Sequence, residues 1–255
     1  MTIIEMDGIE WRPRTALSAL RSLELLSMRL REQSDYRAVF IDVYIVVTRK
    51  VVDVIHASDF GGFVDPEWIS ELTGRFAEEA MIATKSSLEG RLVDSIAWRY
   101  ATQKLCQPYQ GALLGINAHI NVDLGRVVYD YLARNRDEID SGRLHRYRHD
   151  YMHVNAILKP CVSECLELLI WHHGCTVAKN WSRIPMGKIF LANVVMRMLK
   201  CWRNHVWNEI MSLWSASGEC ERKDILNRMD RRSARLAKLI CSNRPANAPR
   251  WSSST

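Results

Sequence analysis

The stretch Leu113-Leu114-Gly115-Ile116-Asn117-Ala118-His119-Ile120-Asn121-Val122-Asp123-Leu124 constrains this chain more than any other. Four polar side chains interrupt a run that is otherwise apolar, which is not how a solvated surface reads. A buried polar group without a partner costs about 1–3 kcal/mol. Asn117, His119, Asn121 and Asp123 must therefore meet partners in the interior or face a cavity. Their alternation with Ile and Val fits the period of a strand. On a helix, Asn117 pairs with Asn121 and His119 with Asp123, each at i,i+4 and on different sides. The flanking sequence reads almost entirely as helix, which favours a buried helix here too. Such a set either carries chemistry or only fixes how helices pack.

The flanks supply the helical context. Thr15 to Glu32 is amphipathic, with Leu17, Leu20, Leu23 and Leu30 on its apolar side. Tyr36 to Ala57 repeats Phe40, Tyr44, Val47, Val51 and Ile55 at helical spacing. Gly61-Gly62 breaks the chain. Asp65-Pro66-Glu67-Trp68 then reads as a helix start, with Asp65 as cap and Pro66 in the first turn, and that helix runs to the region of Lys85. Leu92 to Lys104 predicts another helix. A Pro-containing connection from Cys106 to Gly111 leads into the polar segment. Pro160 kinks or restarts the helix that follows, Gly174 ends it, and Trp181 to Pro185 reads as a turn. Met186 to Trp214 is strongly apolar. Glu221 to Cys241 is a basic amphipathic helix that can pad the bundle, meet a partner or touch anionic lipid. The expectation is an all-α protein, a single-domain multi-helix bundle over residues 1–242 around a buried central helix, with a disordered Pro- and Ser-containing tail over 243–255.

Composition narrows the partners. Hydrophobic residues make up 47% of the 255, and the net charge is +6 with a pI near 9.0. Much of that excess lies late, at Arg222, Lys223, Arg228, Arg231, Arg232, Arg235 and Lys238. No zinc finger or aromatic-interleaved basic stripe accompanies it, so nucleic acid is not expected as a partner. The seven cysteines are scattered, without a CxxC, and the first residues lack the apolar core of a signal peptide. A cytoplasmic protein with reduced thiols is expected. No run of about 18 apolar residues predicts a membrane span. The P-loop, GxGxxG, GxSxG and CxxCH patterns are missing, so neither nucleotide nor haem is expected as cofactor. A homodimer is compatible with all of this.

Several residues are candidates for chemistry. Asp42 sits between Ile41 and Val43, and a carboxylate there can orient a histidine or help hold a metal. Tyr44 and Thr48, one turn apart, bring hydroxyls to the same interior. In Arg148 to Asn155, His149 and His153 lie one turn apart and Asp150 neighbours His153, a plausible two-ligand arrangement or a carboxylate-oriented histidine. Cys161 and Cys165 among leucines read as inert buried thiols. His205 and Glu209 form either a surface salt pair or a carboxylate–imidazole pair beside Trp202 and Trp207.

The segment LLGINAHINVDL resembles the signature LLGMNAHINYDL of a mainly bacterial family, the domain of unknown function DUF5995. Phe40 to Thr48, Trp68, Phe76 to Ala80, Trp98, Asp150-Tyr151, Val154-Asn155 and Arg203 to Trp207 resemble other parts of that family, so the likeness spans roughly residues 36 to 215. Ile116 and Val122 stand where the family has Met and an aromatic residue. Those changes leave the polar set intact but alter the shape of any pocket. The resemblance implies a helical domain, supports Asp150 and Asn155 over His149 and His153, and implies no activity.

Nine tryptophans and eight tyrosines, with a few convergent polar groups, suit an aromatic-walled small-molecule site. The sequence is read as an enzyme acting on a largely apolar metabolite by acid–base chemistry: hydrolysis, elimination or cyclisation. His119 is the acid or base, Asp123 or Asp42 holds its tautomer, and Asp150 is a second acid–base group. Asn117, Asn121, Asn155, Tyr44, Trp98 and Trp202 contact substrate. A divalent metal, if used, is expected on His119, Asp42 and Asp150. The alternative is a non-catalytic carrier of a hydrophobic ligand.

Overall fold

The computed structural model describes residues 6–57, 62–104 and 107–242. The break at Gly61, the connection through Cys106 and the tail over 243–255 lie outside the described residues. Within them the protein is all-α, and no strand occurs. In chain order the helices are α1 (Ala16–Glu32), α2 (Ala38–His56), α3 (Pro66–Leu88), α4 (Ile96–Ala101), α5 (Pro108–Ala118), a π-helical turn (His119–Asp123), α6 (Leu124–Arg134), a 3-10 turn (Arg136–Glu138), α7 (Ser141–Trp171), α8 (Thr176–Ser182), α9 (Gly187–Ser215) and α10 (Glu219–Ser242).

The caps explain several boundaries. The Thr15 side chain accepts from Ser18 N and Ser18 reciprocates, a capping box that starts α1. Asp65 accepts from Trp68 N ahead of Pro66, as the sequence predicts for α3. Three expectations need correction. The helix read over Leu92–Lys104 is only the six residues of α4, because its N-cap is Ser95, three residues past the expected start, and Thr102 already ends it. Pro160 does not restart a helix; α7 runs through it to Trp171. The turn read at Trp181–Pro185 is partly the end of α8.

Two apolar clusters meet along α2, α3 and α5. One joins α1 and α4 to them through Leu23, Leu26, Ile41, Met81 and Trp98. The other joins α6, α7 and α9 through Val128, Leu132, Tyr147, Tyr151, Val206 and Ile210. Helix α10 closes the α4–α5 side with Ile225, Met229, Ser233 and Ala237 buried. Its Asp230 accepts from Ser95 Oγ at 2.7 Å, Ile96 N at 2.9 Å and Ala97 N at 3.1 Å, capping α4 from another helix. The basic helix therefore pads the bundle. Gly115 lets α5 approach α2, since a Cβ there would lie 2.2 Å from Phe40 Cγ.

Candidate active site

Residues 117 to 125 are buried without a break. The backbone widens to π geometry over His119–Asp123, with Leu124 N–H donating to the His119 carbonyl. Such turns inside α-helices are frequent at functional sites. The polar set divides into the two pairs expected of a helix. Asn121 Nδ2 donates to Asn117 Oδ1 at 2.9 Å, and Asn117 Nδ2 donates to the Ser233 carbonyl at 2.9 Å. This pair faces α10 and ties it to α5. On the other side, His119 Nδ1 lies 3.0 Å from Asp123 Oδ2.

Asp123 is held from a third element. Trp98 Nε1 on α4 donates to both carboxylate oxygens, at 3.1 and 2.9 Å. The His119 ring is clamped by aromatic residues. Phe76 of α3 stacks on it with centroids 3.4 Å apart and planes 7° from parallel. Tyr44 and Phe40 of α2 meet its edge at 4.5 and 5.7 Å. A ring packed on three sides cannot swing, so its second nitrogen has a fixed direction.

That nitrogen, Nε2, is buried and has no hydrogen-bond partner among the described residues; the same holds for the Tyr44 hydroxyl. The nearby Thr48 hydroxyl donates instead to the Tyr44 carbonyl at 2.9 Å. His119 and Tyr44 both line a cavity of about 260 Å³ between α2, α3, α5, the π turn, α7, α8 and α9. Its wall is otherwise mainly aliphatic and aromatic, with Val43, Phe76, Ile116, Leu158, Leu166 and Leu199 among its residues. The volume lies just under the usual range for small-molecule pockets, about 300–1,000 Å³. Cys161 and Cys165 also line it. Burial pushes their thiols up to about 11 and about 12, which keeps them protonated and unreactive.

Burial dominates the electrostatics of the pair. It pushes His119 well below the usual histidine range. It raises the Asp123 carboxyl to about 8, opposed by the Arg126 guanidinium and the Trp98 hydrogen bond and reinforced by Asp230. Neither group gains from being charged, so the pair exchanges a single proton. With Asp123 ionised, Nδ1–H donates to it and Nε2 presents a bare lone pair. With Asp123 protonated, the carboxyl donates to Nδ1 and Nε2 carries the hydrogen. Burial, with repulsion from Asp123, similarly pushes Glu79 on α3 up to about 7, although Arg126 stands 3.5 Å from it.

The other proposed site residues lie elsewhere. Asp42 is on the face of α2 opposite Phe40 and Tyr44, two residues from each. It accepts from Ser27, from Arg31 Nε at 2.9 Å and from His173 Nε2 at 2.8 Å. It thus orients a histidine, but His173 rather than His119. Burial alone would raise its pKa; those hydrogen bonds outweigh burial and hold it below the usual range. Asp150 accepts from Val64 N at 2.9 Å, Asp65 N at 2.7 Å and His149 Nδ1 at 3.2 Å, pinning the loop before α3. It does not reach the cavity. His119, Asp42 and Asp150 therefore belong to three separate hydrogen-bond sets, and no group of three metal-ligating side chains occurs among the described residues. Asn155 accepts from Arg203 Nε at 3.0 Å, and Trp202 packs half-buried against the larger cluster. Trp98 is a hydrogen-bond donor to Asp123 rather than a cavity wall. The His205–Glu209 pair, at 3.2 Å, belongs to a cluster with Arg228 and Arg232 that joins α9 to α10.

In the sequence Phe76 and Arg203 stand out only as parts of the Phe76 to Ala80 and Arg203 to Trp207 stretches, with no role of their own. Phe76 sits three residues before Glu79 in the same motif, but nothing local marks it as the ring that stacks on His119. Arg203 shares α9 with Lys188, Arg197 and Lys200, and the sequence alone does not mark it as the one cation that turns inward.

Fold and site together define an all-helical protein with a buried histidine–aspartate pair on the wall of an apolar cavity. Residues 17–243 match the family of unknown function DUF5995, and the chain belongs to that family. No curated protein and no solved structure matches it. No helix among the described residues is long and apolar enough to cross a membrane.

Proposed function

We propose that this protein is an enzyme that moves a proton on an apolar small molecule held in the cavity, with His119 Nε2 as the acid–base atom. The observation that carries this reading is the unpartnered, buried Nε2 in the cavity wall, its ring clamped by Phe76 and its other nitrogen held by Asp123. Buried polar side-chain atoms that only serve packing are in the large majority paired, and this one also faces a cavity. With Asp123 ionised, Nε2 takes a proton from the substrate and Asp123 stabilises the imidazolium; the proton then returns to the leaving or rearranged group. The Tyr44 hydroxyl can donate to oxygen charge that develops in this step. Elimination, cyclisation and hydrolysis are all compatible with one such group. The mostly apolar wall favours a second reading, in which the same cavity only carries a hydrophobic ligand.

The test incubates wild type and His119→Gln with an apolar metabolite extract and follows both bound and changed compounds by mass spectrometry. On the enzyme reading, a compound retained by both proteins is converted only by the wild type. Recovery of the bound compound unchanged from the wild type would establish the carrier instead. Equal conversion by the folded variant would remove His119 from the chemistry.

A further inference from the structure

The cavity wall contains one permanently charged group. Arg203 of α9 is 5% exposed and lines the cavity. Its Nε donates to Asn155 Oδ1, its Nη2 donates to the Tyr151 carbonyl, and its guanidinium lies 4.3 Å from the Tyr151 ring centroid. The Tyr151 hydroxyl in turn donates to the Arg203 backbone carbonyl at 2.9 Å, so α7 holds both the main chain and the guanidinium of this residue. Among the described residues Arg203 meets no carboxylate, and Nη1 makes no hydrogen bond. Arginine does not discharge by losing its proton. A buried cation without a counter-ion is costly, and removing one partner of a buried ion pair leaves this kind of uncompensated charge. The other buried arginine-facing carboxylates in the molecule, Asp42 and Glu209, have their cations; here the cation is present and the anion is not.

We infer that Arg203 is the anchor for an anionic head group, and that the cavity takes an amphipathic acid, a carboxylate on an apolar chain or ring system. The inference rests on reading the cavity as a small-molecule site and adds the class of molecule. Planar carboxylate suits the guanidinium fork, and the aliphatic and aromatic wall suits the remainder. Head-group capture at α7 and α9 orients the chain within a cavity whose wall also presents His119 Nε2.

The test compares dodecanoate with dodecanol as probes, by displacement of an environment-sensitive fluorophore from the full chain at neutral pH. A charge-assisted hydrogen bond in a buried site is expected to favour the acid by at least about tenfold. Arg203→Gln should abolish that preference while leaving dodecanol binding in place, and Arg203→Lys should restore part of it. Equal affinity of wild type for acid and alcohol would overturn the assignment of Arg203 and leave the cavity reading standing. Binding of neither probe would overturn both. If Arg203→Gln fails to fold, the wild-type comparison alone decides.

A different observation concerns the outside of the same region. No Asp or Glu occurs between Glu167 and Glu209, while Lys179, Arg183, Arg197 and Lys200 are exposed there. The N-cap Met186 and the first turns of α9 expose Ile189, Phe190 and Val194, with Asn193 the one polar residue exposed among them, before Arg197. Trp171, Val177, Trp181 and Ile184 are exposed beside it, and Trp181 stacks on Phe190. Lys188 pairs with Glu167, but Lys179, Arg183, Arg197 and Lys200 pair with no carboxylate among the described residues. Exposed apolar side chains flanked in sequence by such cations are the chemistry of binding to an anionic lipid surface. A second copy fits less well, since it would bring like charges together. We propose that the α8–α9 face docks on anionic membranes. The protein should sediment with vesicles half phosphatidylglycerol but not with phosphatidylcholine alone, and salt should release it. The double variant Met186→Ser, Phe190→Ser should stay in solution while keeping its helical spectrum. Absence of sedimentation with either vesicle, or a concentration-dependent dimer lost in the same variant, would overturn the proposal.

Discussion

Replacing Asp123 by Asn tests the buried pair without a substrate. In the folded chain the carboxyl is raised from 3.8 to about 8, first by burial. Each tenfold change in proton affinity is worth about 1.4 kcal/mol, so ionising Asp123 in the fold costs on the order of 5 kcal/mol more than in the unfolded chain. Between about pH 4 and about pH 8 the folded state holds a proton that the unfolded state has released, and stability falls as the pH rises through that window. Asn has the shape of the protonated carboxyl. Its oxygen can accept from Trp98 Nε1 and its amide can donate to His119 Nδ1. Near pH 4, where Asp123 is protonated in the fold and about half protonated in the unfolded chain, variant and wild type should unfold within about 1 kcal/mol of each other. Near pH 9 the variant should be more stable by roughly 2–5 kcal/mol, the lower figure allowing for relaxation and water entry. Urea unfolding at the two pH values measures this; removing the Asp123 charge also eases ionisation of Glu79, which adds to the variant's advantage near pH 9. Nitrogen-15 shifts should show the His119 proton fixed on Nε2 in the variant and moving from Nε2 to Nδ1 through about pH 8 in the wild type. A variant less stable than the wild type near pH 9 would mean that the fold favours the carboxylate, and the burial argument would be wrong.

Trp98→Phe removes the indole donor that favours ionised Asp123, so the midpoint of the His119 tautomer change should move above the wild-type value, read by the same shifts. Gly115→Ala places a Cβ 2.2 Å from Phe40 Cγ, near the root of that side chain rather than its flexible end. It should lower stability by about 1–3 kcal/mol, measured by thermal unfolding. Asp42→Asn should cost roughly 1–3 kcal/mol at neutral pH, since Arg31 is half exposed and screens its share. Asp42 is depressed below 3.8 in the fold, so the stability it confers is present above that value. The difference between the two proteins should vanish as the pH falls through the folded pKa, and denaturation at acid pH would show it.

What the sequence made legible follows from where its rules act. Period and caps are local, so α1, α2 and the start of α3 were readable from Leu20, Leu23, Phe40, Tyr44 and the Asp65-Pro66 pair. The two i,i+4 pairs of the polar segment were readable for the same reason, because a helix alone brings His119 to Asp123. The π turn was not, since nothing local separates it from an α turn. Which third residue joins each polar group is a question of packing between helices. Asp42 and His119 both looked like buried partners, yet two positions along α2 turn Asp42 away from Tyr44 and toward Arg31 and His173. Asp150 shows the limit of resemblance: it is wholly buried, and its work is to hold the backbone of Val64 and Asp65. Trp98 shows the converse, a bulky residue expected to offer its face and found to offer its N–H. Arg203 is the most instructive case. A charge inside an apolar helix needs a partner, and the fold supplies only a carbonyl, an amide oxygen and an aromatic face. The missing anion is therefore a statement about the ligand, which neither helical period nor motif could have made.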